Sequence, residues 1–95
     1  MKIFSFFTQE LAVDLGTANT LIMQNDEIVI DEPSIVAINR TTNEVLAVGY
    51  KAMQMHEKTH ENIKTIRPLK DGVIADFQAA ESLIEGLINL IGEKR

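Results

Sequence analysis

Between residues 11 and 48 the apolar positions of this chain fall in short runs and alternations; after residue 76 they recur at helical spacing. The first part therefore reads as strands and the last as a helix. Residues 11–15 are a buried strand, interrupted by the charge of Asp14. Residues 20–24 and 27–31 form a strand pair, with Asn25-Asp26 as the two-residue turn, since both residue types tolerate the positive φ of a type I′ hairpin. Pro33 cannot donate to a ladder and marks an edge or a break. Residues 34–39 are β-rich (Ile35, Val36, Ile38), 40–43 are a polar turn, and 45–48 return as another strand.

Residues 50–58 are helix-like, with Ala52, Met53 and Met55 as the apolar members; the Met pair suits gap-filling in a small core better than a partner surface. Residues 63–68 are a strand or extended link, where Pro68 pushes Arg67 away from helical geometry. Asp71-Gly72 marks a turn and residues 73–75 a short buried strand. Asp76 is a suitable N-cap. Phe77, Ala80, Leu83, Ile84, Leu87, Ile88 and Ile91 then make one apolar face. Each large side chain on it contributes at most about 1.5–3 kcal/mol on burial, against about 1 kcal/mol lost at Gly86. Packing wins, and Gly92 is expected to end the helix.

The first ten residues leave two readings open. Wound as a helix, Ile3, Phe4, Phe6 and Phe7 share one face, opposite Lys2, Ser5, Thr8 and Gln9. A short segment of that kind, with a cationic N-terminus, can lie in a membrane interface. One or two turns are marginal as an isolated helix, however, and the alternative is a flap or edge strand packed on its own domain.

Composition narrows the classes. Ninety-five residues make one small domain or part of a larger one, and a 45% apolar fraction argues against disorder. A net charge of −5 gives no electrostatic footprint for nucleic acid. With no cysteines there are no disulfides or thiolate metal sites, which fits a reducing cytoplasm. No apolar run approaches the roughly 20 residues of a spanning helix, and the N-terminus lacks the core and cleavage site of a secretory signal. His56 and His60 stand four apart, but Glu57, Lys58 and Glu61 surround them and no third ligand is evident, so this is read as a solvated tip.

The candidate chemistry lies where the strand at 11–15 ends. Gly16 lets the backbone turn, and Thr17, Ala18, Asn19 and Thr20 are small residues, three of them with hydrogen-bonding side chains. Such a turn can aim N–H groups and hydroxyls into one concavity suited to an anion. Asp14 beside it suits a hydrated Mg²⁺, which keeps its waters and uses one or two carboxylates. An ordinary hairpin explains the same spacing, and neither G-x-x-x-x-G-K-[ST] nor G-x-G-x-x-G is present.

The string Val13-Asp14-Leu15-Gly16-Thr17-Ala18-Asn19-Thr20-Leu21 resembles the first phosphate loop of the actin/sugar-kinase/chaperone ATPases. More narrowly it resembles the MreB family, the bacterial actins that determine rod shape. The likeness extends through Asp31-Glu32-Pro33-Ser34-Ile35-Val36-Ala37, Ala47-Val48-Gly49, and Ile66-Arg67-Pro68-Leu69-Lys70-Asp71-Gly72-Val73-Ile74-Ala75-Asp76-Phe77. The chain departs from the family at His56-Glu57-Lys58-Thr59-His60-Glu61-Asn62, where MreB proteins have a Gly- and Pro-containing turn; a helix one turn longer is expected there.

The resemblance implies an α/β fold of the actin-like ATPase type: a mixed sheet with helices plus a small inserted subdomain, truncated relative to the two-lobed whole. Residues 1–32 and 67–95 would belong to the larger subdomain and 33–66 to the insertion. It implies ATP and Mg²⁺ as cofactors. Gly16, Thr17, Ala18 and Asn19 would line the phosphates, Asp14 would serve the metal through water, and no catalytic residue would fall within this stretch. The 95 residues alone are expected to be inactive. The implied role is a cytoskeletal protein that polymerises with ATP, cytoplasmic and peripheral on the inner membrane through Met1 to Phe7, guiding the cell-wall elongation machinery. A chaperone or sugar kinase of the same superfamily, or a free-standing small binding module, are the alternatives.

Overall fold

The computed structural model describes residues 2–6, 9–57 and 61–93. Strands β1 (Lys2–Phe6), β2 (Gln9–Leu15), β3 (Asn19–Gln24) and β4 (Glu27–Pro33) form an antiparallel sheet in that order. A second sheet has the order β6-β5-β7, from β5 (Val36–Asn39), β6 (Val45–Val48) and β7 (Ile63–Ile66). Helix α1 (Tyr50–Glu57) connects β6 to β7. A two-residue hairpin pair, β8 (Leu69–Lys70) and β9 (Val73–Ile74), leads into α2 (Phe77–Glu93).

The alternation read from the sequence decides which face is covered. Val13, Ile22 and Ile30 lie opposite one another across β2, β3 and β4, and all three are buried. They form one core with Leu11 and with Leu83, Leu87 and Ile91 of α2. One residue along, Asp14, Leu21 and Asp31 make the corresponding row on the other face. The second sheet is covered on both sides. Its Val36 and Val48 join the α2 core, whereas Ala37 packs with Ile35 and with Ala52 of α1.

Local chemistry sets the turns and helix ends. Asn25 and Asp26 both have positive φ, as the tight hairpin requires. The Asp76 carboxylate accepts the Ala79 N–H at 3.0 Å, the expected N-cap of α2. Helix α1 begins against the buried Glu32, whose Oε1 accepts the Tyr50 N–H at 2.8 Å. A Cβ on Gly86 would sit 2.7 Å from a methyl of Val48, so the residue that weakens α2 is also what lets it approach β6.

Several expectations change. Lys2–Phe6 is a strand paired with β2, not a helix: aromatic and β-branched residues gain a full ladder there, whereas two helical turns would not repay nucleation. Met1, Phe7 and Thr8 lie outside the described residues. Val73 is 67% exposed rather than buried, because its two-residue strand pairs only with Leu69–Lys70 at the surface. Phe77 is 75% exposed despite its place in the apolar repeat; as the first residue of α2 it lines the mouth of a groove instead of entering the core. The helix runs through Gly92 to Glu93, and Gly92 takes no left-handed φ. The altered tip lies partly outside the described residues: α1 ends at Glu57, residues 58–60 are not described, and 61–62 are a turn.

Candidate functional site

β2 and β3 are a hairpin closed at the Leu15–Thr20 pair, with residues 16–19 as its connection. The hairpin and the anion loop are therefore not competing structures. What matters is how the connection is held. Asn19 is already the first residue of β3, opposite Pro33, and its side-chain amide donates to Asp31 at 3.0 Å. Gly16 is required by a close approach: a Cβ there would lie 2.5 Å from the Asn19 carbonyl oxygen.

Ser34, fully buried just after β4, holds the loop from beneath. Its N–H donates to the Ala18 carbonyl at 2.9 Å, and its hydroxyl donates to the Gly16 carbonyl at 2.6 Å. The peptide bonds of the described residues are trans. In a trans peptide the N–H points opposite to its carbonyl. With the carbonyls of Gly16 and Ala18 bound to Ser34, the N–H groups of Thr17 and Asn19 point away from Ser34. Thr17, Ala18 and Asn19 are all exposed.

A second support comes from the β8–β9 turn, where both Asp71 and Gly72 have positive φ. The Gly72 N–H donates to the Thr17 hydroxyl oxygen at 2.7 Å. Having accepted that bond, the hydroxyl keeps its own proton for a further acceptor.

Asp14 is exposed, although it interrupts an apolar strand, because it belongs to the row facing away from the α2 core. Asp31 follows across Leu21, two interstrand spacings away or roughly 9–10 Å. No group of three or more His, Cys, Asp or Glu side chains is arranged for a metal among the described residues, so a cation here would depend on Asp14, water and an anionic ligand. His56 instead shares a 2.7 Å hydrogen bond with Thr65 of β7, and His60 is outside the described residues.

A separate groove of about 800 Å³ runs between α2, β2 and the β8–β9 hairpin, floored by Leu15, Leu69, Ile84 and Ile88. It does not include Asp14 or residues 17–19. Among the described residues no helix is long and apolar enough to cross a membrane.

Sequence reasoning named the loop and its acid but not its supports. Ser34 follows β4 and Gly72 sits in the β8–β9 turn, and nothing in spacing pairs Ser34 with a carbonyl 18 residues earlier.

The fold is that of the actin-like ATPases. A solved structure described as MreB 5 of Spiroplasma citri bound to AMPPNP matches with a TM-score of 0.74 at 43% identity, over 82% of this chain and 24% of that one. The same organism's MreB5 bound to ADP matches with a TM-score of 0.75 at 40% identity, over 90% of this chain and 26% of that one. Residues 8–95 match the family described as MreB/Mbl protein, and the chain belongs to that family. It is 51% identical over 89 residues to the cell shape-determining protein Mbl of Bacillus cereus, covering 93% of this chain. It is 45% identical over 95 residues to the cell shape-determining protein MreB of Escherichia coli, covering 95% of this chain. In both cases it spans 27% of the relative's length.

Proposed function

We propose that these residues supply the first phosphate-binding loop of a cytoskeletal ATPase that polymerises with ATP and determines cell shape. The observation that carries the reading is the anchoring of the Gly16 and Ala18 carbonyls by Ser34, which leaves the N–H groups of Thr17 and Asn19 pointing away from it. The bound AMPPNP and ADP of the Spiroplasma relatives support a nucleotide as the anion, and the names of the Bacillus and Escherichia relatives support the cellular role.

The residues present fit Mg-ATP. Small side chains at Thr17, Ala18 and Asn19 leave the backbone accessible, and Asp14 is exposed beside them. Thr17 and the loop amides would bind and orient the phosphates, and Gly16 would keep the loop tight enough to approach them. Asp14 would hold a hydration water of Mg²⁺. The metal would neutralise charge on the phosphates, and hydrolysis would otherwise depend on positioning. Residues 1–32 with 67–95 would form the larger subdomain and 33–66 the smaller one. In the full-length polypeptide that carries these residues, Mg-ATP is expected to drive pelletable filaments. Asp14→Ala should lower Mg²⁺-dependent hydrolysis by roughly tenfold or more with an unchanged melt. Equal loss of hydrolysis and folding would make Asp14 a structural residue instead.

The cellular setting in this reading is the cytoplasmic face of the inner membrane, beside the cell-wall elongation machinery. Membrane association would run through Met1 to Phe7, where Ile3, Phe4, Phe6 and Phe7 are apolar and Lys2 and the amino terminus are cationic. The full-length polypeptide should co-sediment with anionic vesicles, and the Phe4→Ser, Phe6→Ser double variant should fall to background. Unchanged sedimentation would assign the segment to the sheet alone.

A further inference from the structure

We infer that Ser34 and Thr20 form a hydroxyl latch that sets the orientation of the Gly16–Thr17 peptide, and so decides whether the loop offers a donor or an acceptor to its anion. The inference rests on the phosphate-binding reading of that loop. It makes Ser34 and Thr20 positioning residues, since neither is exposed to a ligand.

Both side chains are fully buried. The Ser34 hydroxyl has a single proton, and it is committed to the Gly16 carbonyl at 2.6 Å. The 2.7 Å contact between Thr20 Oγ1 and Ser34 Oγ can therefore have only one direction, with Thr20 donating. The chain of bonds runs from Thr20 to Ser34 to Gly16. Thr20 fixes the Ser34 rotor, and Ser34 fixes the peptide.

The two anchors of the loop differ in kind. Ala18 is held by the Ser34 main chain, which any residue at position 34 except proline would supply. Gly16 is held by the side chain alone. Removing the hydroxyl thus releases one peptide and leaves the other. The Gly16–Thr17 peptide is also the one best able to turn over, because glycine has the freest backbone. Turned over, it would present a carbonyl oxygen to a phosphate in place of an N–H. Hydrogen bonds to charged groups are the stronger class, so exchanging attraction for repulsion at that point outweighs the small packing change of losing one oxygen.

The test uses the full-length polypeptide labelled with ¹³C′-glycine and ¹⁵N-threonine, in which the Gly16–Thr17 signal is assigned by its absence from a Thr17→Ser variant; it is the one Gly-Thr pair in these 95 residues. In Ser34→Ala the Gly16 carbonyl resonance should move upfield as it loses its donor, and the affinity for Mg-ATP should fall about tenfold or more. Thr20→Val should produce smaller changes of the same sign. Thr20→Ser, which keeps the hydroxyl, should restore the wild-type resonance and affinity even if its melt is lowered. A Gly16 signal unmoved by Ser34→Ala would overturn the latch, as would a moved signal with undiminished affinity. Failure of the wild-type polypeptide to bind Mg-ATP would overturn the phosphate reading, and is distinguishable because the Gly16 signal would still respond to Ser34→Ala.

Discussion

Leu87→Asp is expected to abolish cooperative unfolding. Leu87 is fully buried at the centre of α2's inward face, packed in the cluster that contains Leu11, Val13, Ile22 and Ile30. Truncating such a leucine to alanine costs about 2–5 kcal/mol. Aspartate adds an unpaired carboxylate, whose burial costs several kcal/mol more. The sum is comparable with the about 5–15 kcal/mol that separates folded from unfolded states of a whole domain. Asn89 lies two positions further on, exposed, and Asn89→Asp should change stability by no more than about 0.5 kcal/mol. Thermal melts followed by circular dichroism distinguish the two. A cooperative transition retained by Leu87→Asp would mean that α2 is not the element on which the sheets depend.

The same helix shows where a pattern in sequence is sufficient. Leu83, Leu87 and Ile91 repeat at helical spacing and are all buried, because the face of β2–β4 runs beneath them. Phe77 fits the same spacing and is exposed. Periodicity defines a face, but it does not say how far the opposing sheet extends. Gly86 shows a related limit. Propensity assigns it a cost, while its benefit, clearance for Val48, exists only once β6 has been placed. The strands were legible for a local reason: Asn25-Asp26 and Asp71-Gly72 supply the positive-φ residues their turns need, whatever surrounds them. The N-terminal strand was not, since Ile3, Phe4 and Phe6 suit a helix face or a strand equally. The open edge of β2, which decides between them, is a tertiary fact.

At the candidate site the sequence displayed the residues that would face a ligand and concealed those that hold them. Asp14, Gly16, Thr17, Ala18 and Asn19 are contiguous or nearly so, and their chemistry can be read together. Ser34 and Gly72 reach the loop from 18 and 55 residues away, to Gly16 and Thr17 respectively. Both separations lie far beyond the few residues over which a helix or strand pattern relates neighbouring side chains, so no local pattern could have joined them. Asp14 interrupts an apolar run with a charge, and it is exposed. The alternation that buries Val13 turns the next side chain to the open face.

Replacing Gly16 should have the largest effect on binding. A Cβ there meets main chain, the Asn19 carbonyl oxygen at 2.5 Å, and cannot be relieved by rotating a side chain. Gly16→Val adds branching to that clash. The loop must widen, which pulls the Gly16 carbonyl from Ser34 and turns the Thr17 N–H out of line. Losing the aligned donors of a charged ligand, at about 1.5–3 kcal/mol each, predicts a fall in affinity of about a hundredfold or more. The core is not touched, and the melt should drop by only a few degrees. The deciding measurement is isothermal titration of the full-length polypeptide with ATP and Mg²⁺, wild type beside Gly16→Val. If the loop at 16–19 is a phosphate site, the wild type binds saturably and the folded variant binds at least about a hundredfold more weakly. Equal affinities for the two folded proteins would place the nucleotide elsewhere and contradict the assignment.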